Sequence, residues 1–153
     1  MERTLVILKP ATVQRALCGE VISRFEKKGL KIVAMKMVNL TDELLYEHYG
    51  HLKDKPFFPI LLRSMKKTPV VLMALEGIEA VRVVREMGGV TNGRNAALGT
   101  IRGDYCMSKT ENIVHTSDSP ESAAIELARF FKEEEYCTYA TYQVDAFYAE
   151  DEL

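Results

Sequence analysis

Hydrophobic residues along the chain occur either in short unbroken runs or at helical spacing. The runs predict buried strands at residues 5–8, 30–38 and 70–75, and a further strand that ends at Ile113-Val114. The helical spacing predicts helices over residues 19–28, 41–49, 60–66 and 78–87, and a last helix that begins at Ser119-Pro120-Glu121. Lys9-Pro10 ends the first strand, and residues 89–103 are predicted to form one long loop.

The order of these segments is compatible with two sheet arrangements. Alternation of strands and helices favours a parallel sheet. However, two short helical pieces join the second and third strands, which also allows a split β-α-β arrangement with mixed pairing. The pattern alone leaves both arrangements open. A loop as long as 89–103 is usually functional or disordered in a compact domain.

Composition and charge narrow the class of protein. The 153 residues fit one domain spanning 1–153. The formal net charge is −2 and no basic run exceeds two residues, which argues against a dedicated nucleic-acid binder. Only four consecutive apolar residues precede Lys9, too few for a signal peptide or a membrane span. The three cysteines form no Cys-x-x-Cys pair, which indicates reduced thiols and a cytoplasmic protein.

His115 is the residue whose position is hardest to explain by packing alone. It stands where a strand gives way to a helix, and three small polar residues follow it, Thr116, Ser117 and Asp118. One interpretation is a buried histidine that hydrogen-bonds to Ser117 or to a backbone carbonyl. The other is a nucleophile, since a neutral imidazole with a pKa of ~6.5 needs no base to attack. The N–H groups at the start of the next helix favour an anion nearby. The residues taken alone favour the first interpretation.

Glu126 is the candidate partner for His115. A helical wheel places Glu126 at the edge of the buried face, from which a carboxylate can point back toward the strand end. That face is predicted to consist of Ala124, Leu127, Ala128 and Phe131. The alternative is a surface ion pair with Arg129 at i,i+3, which stabilises a helix by only a few tenths of a kcal/mol. The sequence gives the two interpretations equal weight.

Three cations are candidates for binding phosphate. Lys9 ends the first strand, where ligand sites of α/β proteins often lie. Arg102 is close to glycines that allow a ligand to approach the backbone. Arg85 follows Arg82 on a helix that also carries glutamates, so a salt-bridged solvent face is the alternative for Arg85. Two arginines and a lysine could hold a triphosphate through guanidinium forks.

Common nucleotide and metal motifs are absent from the sequence. There is no P-loop, no G-x-G-x-x-G directly after a strand, and no H-E-x-x-H. His48 and His51 lie three residues apart at a helix end without a cysteine or carboxylate pair at ligand spacing. We therefore interpret both histidines as surface residues and predict no metal site built from protein ligands.

Four segments, "TLVILKP", "HLKDKPFFP", "GTIRGDY" and "NIVHTSD", resemble the nucleoside diphosphate kinase family in order and separation. The resemblance covers residues 3 to 135, and N-x-x-H-x-S-D before a capped helix is a specific signature. It implies a ferredoxin-like α/β (α+β) sandwich, in which helices cover a four-stranded, mainly antiparallel sheet. The residues from about 136 onward would form a tail.

The same resemblance implies an activity. A nucleoside triphosphate, typically ATP, would phosphorylate His115, which would then pass the phosphoryl group to a nucleoside diphosphate in a ping-pong cycle. Mg²⁺ would be carried by the nucleotide phosphates. The family also implies a homo-oligomer built from dimers, either a tetramer or a hexamer.

Individual roles follow from matching positions in the family. Glu126 would orient His115, and Ser117 would support Glu126; the family pattern suggests Nδ1 as the phosphorylated nitrogen. The remaining matches concern the nucleotide: Lys9 for the transferred phosphoryl group, Arg85, Arg102 and Thr91 for the phosphates, Asn112 for the sugar, Phe57 for the base, and Tyr49 as a tyrosine near Lys9.

Several positions differ from the family pattern. Thr116 follows the histidine where glycine or another small residue is usual, and threonine would tolerate a positive φ poorly. Ala11 replaces an aspartate, and we expect Thr12 to supply the local helix cap instead. Gly93 and Leu98 replace prolines in the long loop, which packs between subunits in the family. These changes are expected to affect the loop and the oligomer geometry rather than the chemistry.

Two further functions are compatible with parts of the sequence. The first is a regulatory nucleotide-binding protein that keeps the fold without catalysis, although every matched catalytic position retains its residue type. The second is a single-stranded nucleic-acid binder that uses Phe57, Phe58 and the tyrosines. The negative net charge argues against the second function.

Overall fold

The computed structural model describes residues 1–141 and 144–153 and contains one four-stranded sheet in that part of the chain. Every strand pair is antiparallel, and the strand order is β2-β3-β1-β4. This arrangement confirms the predicted ferredoxin-like fold. The strands are β1 (Glu2–Leu8), β2 (Lys31–Val38), β3 (Val70–Gly77) and β4 (Val114–Thr116).

The sheet contains two split β-α-β units, one of the arrangements that the sequence left open. Strand β3 lies between β1 and β2 and is antiparallel to both, so β1 and β2 run in the same direction. Likewise, β1 lies between β3 and β4. Helices connect the two strands of each unit. The central strand β1 therefore ends beside β4, and this brings Lys9 close to the segment that contains His115.

The helices cover both faces of the sheet. Alternate residues of β1 belong to two separate cores, with Leu5 and Ile7 in one core and Val6 and Leu8 in the other. Because both faces are buried, β1 has the unbroken apolar run that the sequence shows. The helices are α1 (Pro10–Gln14), α2 (Cys18–Lys27), α3 (Asp42–Tyr49), α4 (Phe58–Met65), α5 (Ala80–Gly88), α6 (Ile101–Tyr105), α7 (Pro120–Phe130) and α8 (Val144–Phe147). None of the helices in the described ranges is both long and apolar enough to cross a bilayer.

Three short helices were not predicted: α8 in the tail, and α1 and α6 near the site. Lys9-Pro10 does not simply end β1, because Pro10 is the first residue of α1, where a missing N–H costs nothing. The predicted loop 89–103 gives way to α6, whose start is capped by the Thr100 hydroxyl accepting from the Gly103 N–H. Both helices have only five residues, too few to show helical periodicity in the sequence.

Thr12 does not have the capping role predicted for it. Helix α1 has no side-chain cap, and the Thr12 hydroxyl donates instead to the Ile113 carbonyl. The Lys9 N–H donates to the same carbonyl at 2.8 Å. Thr12 and Lys9 thus join the start of α1 to the residue before β4.

The buried face of α7 also differs from the prediction. Ser119 caps the helix by accepting from the Ser122 N–H, and Pro120 occupies the first turn, as the sequence suggested. The buried residues of the helix are Ala123, Leu127 and Phe130, whereas Ala124 and Ala128 are exposed. The predicted buried face is rotated by about one residue relative to the observed face. Glu126 consequently lies closer to the buried side than predicted.

Candidate active site

A cleft of about 400 Å³ opens beside β4 and collects most of the predicted site residues. Eight of the ten predicted residues line it: Lys9, Tyr49, Phe57, Arg85, Thr91, Arg102, Asn112 and His115. The other two, Ser117 and Glu126, lie behind His115 and hydrogen-bond to each other. Five lining residues were not predicted: Leu52, Leu61, Lys109, Thr110 and Val114. Helical spacing puts Leu61 on an apolar face, but no sequence signal shows that this face borders a cleft.

His115 is the central residue of β4, not a residue after a strand. It pairs with Ile7 of β1, which fixes its backbone in the sheet. The turn into β4 is made at Ile113, which has a φ of 58°. The Val114 N–H donates to the Asn112 carbonyl at 2.7 Å and closes a γ-turn around Ile113. A β-branched residue in this conformation is strained, and such strain is common near functional sites.

The side chain of His115 is held from behind by Glu126. Nε2 of His115 lies 3.1 Å from Oε1 of Glu126, and the Ser117 hydroxyl donates to Oε2 at 2.5 Å. Ser117 in turn accepts from the Leu5 N–H at 3.3 Å. The other ring nitrogen, Nδ1, makes no hydrogen bond within the described part of the chain, and His115 lines the cleft. The ring is therefore fixed at one nitrogen and accessible at the other.

Electrostatics keep the imidazole neutral at neutral pH. Burial lowers the pKa of His115, and the positive charges of Lys9 and Arg102 act in the same direction, against the opposing effect of Glu126. Burial pushes the pKa of Glu126 upward, but the hydrogen bonds from His115 and Ser117 outweigh it and leave that pKa below its usual range. The arrangement thus combines an uncharged nucleophile with an ionised carboxylate behind it.

Lys9, Arg85 and Arg102, which we call the cation wall, border the same cleft as His115. Within the described ranges, none of the three makes a salt bridge. Burial, together with nearby Arg102, lowers the pKa of Lys9 to about 8. Burial, together with nearby Arg85, lowers the pKa of Arg102 to about 10. Lys9 and Arg102 therefore carry their charges at a cost that no salt bridge in the described residues offsets.

The N–H groups of the cation wall donate hydrogen bonds mainly to backbone carbonyls and to a side-chain amide oxygen. Arg102 donates to three carbonyls, those of Asn112 at 3.2 Å, Gly89 at 2.6 Å and Val114 at 2.5 Å. Arg85 donates to the Thr116 carbonyl at 3.1 Å. Arg85 is exposed, as the solvent-face alternative predicts, but it also lines the cleft. The salt bridge of that alternative is wrong for Arg85, because its neighbour Arg82 pairs with Glu79 and Glu86.

Asn112 connects the cation wall to the loop that precedes it. Its Oδ1 accepts from Lys9 Nζ at 2.6 Å, and its Nδ2 donates to the carbonyls of Thr91 and Lys109 at 3.2 and 2.9 Å. Tyr49 lies nearby with its hydroxyl buried and without a hydrogen-bond partner in the described residues, and burial raises the pKa of Tyr49. Tyr49 therefore remains protonated and has one donor available at the cleft.

The outer part of the cleft is apolar on one side. Phe57, at the N-terminal end of α4, is 39% exposed and stands beside Leu52 and Leu61. Thr91, Lys109 and Thr110 also line the cleft and supply polar groups. A flat aromatic ring at the mouth with cations and an imidazole further in can accommodate a ligand that has a planar group at one end and negative charge at the other.

The prediction that His48 is a surface residue is wrong. The residue is 5% exposed, and its ring packs edge-to-face against His115 with 4.7 Å between centroids. His48 lies one helical turn after the buried Leu45, a spacing in the sequence that could have indicated burial. The predicted alternative pairing of Glu126 with Arg129 is also wrong, since Arg129 Nε lies 3.2 Å from Glu47 Oε1.

His48, His115 and Glu126 bring three ligand-type atoms within 4.8 Å of one another, and two histidines with a carboxylate can bind zinc. The hydrogen bonds argue against a metal here. Arg129 Nη1 lies 3.0 Å from Nδ1 of His48, and an arginine can only donate, so Nδ1 accepts and Nε2 carries the proton. A protonated nitrogen cannot coordinate a metal, and Nε2 of His115 is already paired with Glu126.

Known proteins resemble this chain over nearly its full length. Residues 2–136 match the family model described as nucleoside diphosphate kinase. A nucleoside diphosphate kinase from Parabacteroides distasonis is 60% identical over 153 residues, the whole of both chains, and one from Rhodopirellula baltica is 53% identical over 99% of this chain and 100% of its own. Among solved structures, a halophilic nucleoside diphosphate kinase from Halobacterium salinarum in complex with CDP superposes with a TM-score of 0.93 at 40% identity, covering 96% of this chain and 98% of its own.

Proposed function

This chain belongs to the nucleoside diphosphate kinase family and is a phosphotransferase, and from that premise we propose how its residues carry out the reaction. His115 takes the γ-phosphoryl group of a nucleoside triphosphate, typically ATP, and passes it to a nucleoside diphosphate. One observation supports this assignment above the others: a neutral imidazole faces three cations that lack carboxylate partners in the described residues. A polyanion that enters the cleft supplies the negative charge that the cation wall lacks.

The transfer takes place in two matched steps. The lone pair of Nδ1 attacks the γ-phosphorus, the bond to the β–γ bridging oxygen breaks, and its electrons leave with the nucleoside diphosphate. A β-phosphate oxygen of the second nucleotide then attacks the same phosphorus, and the N–P bond returns its electrons to the ring. Since neither step requires a proton to be removed from His115, one site serves donor and acceptor in turn.

Glu126 and Ser117 prepare His115 for the attack. With Nε2 hydrogen-bonded to Glu126 at 3.1 Å, the ring proton is on Nε2 and the lone pair on Nδ1. The carboxylate also stabilises the positive charge that the ring acquires once it is phosphorylated. Ser117 holds the second carboxylate oxygen and keeps Glu126 pointed at the ring.

The cation wall stabilises charge on the phosphates. Lys9 contacts the transferred phosphoryl group, while Arg85, Arg102 and the Thr91 hydroxyl contact the phosphate chain. Fixed positive charge facing the reacting phosphate requires no reorganisation during transfer. The residues that line the cleft include no carboxylate, so Mg²⁺ enters as part of the nucleotide substrate, held by phosphate oxygens.

The outer part of the cleft binds the nucleoside. Phe57 stacks on the base, and this contact tolerates any base because every base has a π-face. Asn112 accepts a hydrogen bond from the sugar hydroxyl. Its Oδ1 has two lone pairs, and Lys9 occupies only one of them. Tyr49 offers its unpartnered hydroxyl beside the phosphoryl position. Broad nucleotide use is the expected consequence.

We also propose a cytoplasmic homo-oligomer built from dimers, either a tetramer or a hexamer. Strand β2 is at the edge of the sheet, and its Met35 and Met37 are 55% and 58% exposed, which supports contact between copies at this edge. The free cysteines, Cys18, Cys106 and Cys137, fit a reducing compartment. Light scattering on the purified protein measures the number of copies.

Incubation with ATP labelled at the γ-phosphate tests the proposed function. The protein should acquire a label that is stable in alkali and labile in acid, as a phosphohistidine is, and addition of any nucleoside diphosphate should remove it. His115→Ala should acquire none while still binding nucleotide, because the cation wall is intact. Nucleotide binding without labelling of the wild type would instead indicate a regulatory protein that has kept the fold.

A further inference from the structure

His48 has no part in the reaction described above, yet it is in direct contact with the nucleophile. Its ring lies edge-to-face on His115 at 4.7 Å between centroids, with an interplanar angle of 75°. It also packs against Tyr49 at 4.5 Å and Phe130 at 5.1 Å. The residue is 5% exposed, so His115 lies between the cleft on one side and a closed aromatic wall on the other.

The hydrogen bonds of His48 fix its tautomer. Nδ1 accepts from Arg129 Nη1 at 3.0 Å, and Arg129 is itself held by Glu47, whose Oε1 is 3.2 Å from Nε. The proton is therefore on Nε2, which is buried and has no hydrogen-bond partner in the described ranges. A buried N–H without an acceptor is uncommon in a stable core and requires a reason.

Burial and the charges around His48 keep it uncharged. Burial, together with nearby His115, Arg129 and His51, lowers the pKa of His48 to about 3, against the opposing effect of Glu126. A cationic ring here would compete with His115 for Glu126. It would also repel the positive charge that the His115 ring acquires on phosphorylation. An uncharged ring does neither.

The contact also restricts how His115 can rotate. The imidazole turns about its Cβ–Cγ bond, and the hydrogen bond between Nε2 and Glu126 restrains this rotation only weakly because Nε2 lies close to the axis. A second contact, on the ring itself, is needed to aim the lone pair of Nδ1 along a fixed line. His48 supplies that second contact, and small errors of aim are costly in a transfer that requires aligned groups.

We propose that His48 is a positioning residue for phosphoryl transfer, whose uncharged ring holds His115 in the orientation that aims Nδ1 into the cleft. The inference rests on the proposed function of His115 as the phosphorylated residue. It assigns to His48 no contact with the nucleotide, since His48 does not line the cleft. The aromatic ring, not the acceptor for Arg129, carries the role.

Two substitutions separate the ring from the acceptor. His48→Phe keeps an uncharged ring of similar size but offers Arg129 no acceptor. His48→Asn keeps an acceptor near the position of Nδ1 but removes the ring from His115. His51→Asn is the matched control, because His51 lies three residues away, is exposed and does not line the cleft.

The measured quantities are the single-turnover rate of phosphoenzyme formation, KM for ATP, and Tm. His48→Asn should form phosphoenzyme about 10- to 100-fold more slowly, with KM unchanged because the nucleotide contacts are elsewhere. His48→Phe should stay within about threefold of the wild-type rate, because the phenyl ring should hold His115 in the same orientation. A wild-type rate in His48→Asn, or equal losses in both variants, would overturn the proposal. A purely structural residue would lower Tm in both variants without this difference in rate.

A measurement independent of activity examines the arrangement itself. Long-range ¹H–¹⁵N spectra of the wild-type protein should show His48 as the Nε2–H tautomer and uncharged at pH 5. A charged His48 at that pH would overturn the proposal even if the enzyme is active. Failure of the wild type to form a phosphoenzyme would contradict the proposed function instead, and the spectra would still decide the state of His48.

Discussion

The two sides of the cleft are built in opposite ways. On one side lies the histidine corner, which consists of His48, His115, Ser117, Glu126 and Arg129. Its polar side chains hydrogen-bond mainly to one another, and burial keeps both histidines neutral. On the other side, the cation wall carries three charges that make no salt bridge in the described part of the chain and donate to backbone or amide oxygens.

This difference assigns separate tasks to the two sides. Hydrogen bonds among its own side chains hold the histidine corner together, so its geometry is set before a nucleotide arrives. In the cation wall, burial and then repulsion from a neighbouring arginine lower the pKa values of Lys9 and Arg102, and negative charge that enters the cleft offsets this repulsion. Changes in the corner should therefore affect turnover, whereas changes in the wall should affect nucleotide capture as well.

Removing the negative charge from the histidine corner should have the largest effect. Glu126→Gln keeps the shape of the side chain but loses the charge that stabilises the phosphorylated ring and the preference for a proton on Nε2. Turnover should fall by about 10- to 1000-fold, judged against the usual contribution of a positioned acid or base. KM should remain within about twofold, since Glu126 does not line the cleft. Steady-state kinetics with ATP and a nucleoside diphosphate measure both.

Glu121→Gln is the control on the same helix, because Glu121 lies in the exposed first turn of α7. It should turn over at the wild-type rate. If Glu126→Gln also does so, His115 is oriented by the backbone and by its aromatic neighbours, and the comparison between the two sides loses its basis.

Arg102 is the corresponding test of the cation wall. Arg102→Lys keeps the charge, but an ammonium group cannot reach the three carbonyls of Gly89, Asn112 and Val114 together. We expect kcat/KM to fall more than tenfold, or at least ~1.4 kcal/mol. The free energy of unfolding should also fall by about 1–3 kcal/mol for each buried carbonyl left without a donor.

The control for Arg102 is Arg82→Lys, on the exposed face of α5, which should alter neither quantity measurably. A variant Arg102→Lys that is less stable yet catalytically unchanged would make Arg102 a brace for the loop and would leave phosphate binding to Lys9 and Arg85. The nearby Asp104 does not compete for Arg102, since Asp104 pairs with Arg24 at 2.6 Å.

The pH dependence of kcat/KM distinguishes the cation wall from the histidine corner, because Lys9 of the wall titrates. The pKa of Lys9 in the free enzyme is about 8, so its charge is lost as the pH rises through that value. Because kcat/KM reports the free enzyme, it should fall by about tenfold per pH unit well above pH 8. The histidine corner adds no change there, since both histidines are neutral throughout. Lys9→Arg should move the alkaline limb to higher pH, and a limb that stays at pH 8 would belong to another group.

The elements with strong periodicity or specific motifs were predictable from the sequence. The unbroken run in β1 indicated a strand buried on both faces, and the capped start of α7 was visible in Ser119-Pro120. The sequence could not choose between parallel and split pairing, because β3 inserts between β1 and β2 through contacts made far along the chain. The short helices α1 and α6 escaped because five residues show no period.

Site residues that belong to a sequence motif were predictable. Site residues that reach the site only through packing between distant elements were not. His115 and Arg102 stand in recognisable segments, whereas His48 is interpreted as a surface residue because no cysteine or carboxylate pair at ligand spacing accompanies it. Its burial depends on Phe130 and His115, which belong to distant elements. The pairing of Glu126 depended on a face of α7 that the wheel misplaced by one residue.

Thr116 lies between the two sides and should have the smallest effect on catalysis. Among the described non-glycine residues, positive φ values occur at Ala16, Glu79 and Ile113, so Thr116 has an ordinary backbone that does not require glycine. Its carbonyl accepts from Arg85 at 3.1 Å, and this contact survives any substitution of the side chain. Thr116→Gly should therefore turn over within about twofold of the wild-type rate, as expected for a change that leaves both sides in place.

Stability is the quantity that Thr116 should change. The side chain is 1% exposed, so Thr116→Ser should lower the free energy of unfolding by about 0.8 kcal/mol for the lost methyl group. Thr116→Gly should lower it further, because a glycine in a strand costs about 0.5–1 kcal/mol relative to alanine. Glycine also removes the Thr116 hydroxyl, which accepts from Arg85 at 3.4 Å. Denaturant unfolding of both variants measures the difference. A gain in stability for Thr116→Gly would mean that the backbone is strained at Thr116 as well as at Ile113. The strained part of the site would then be the strand segment between the histidine corner and the cation wall.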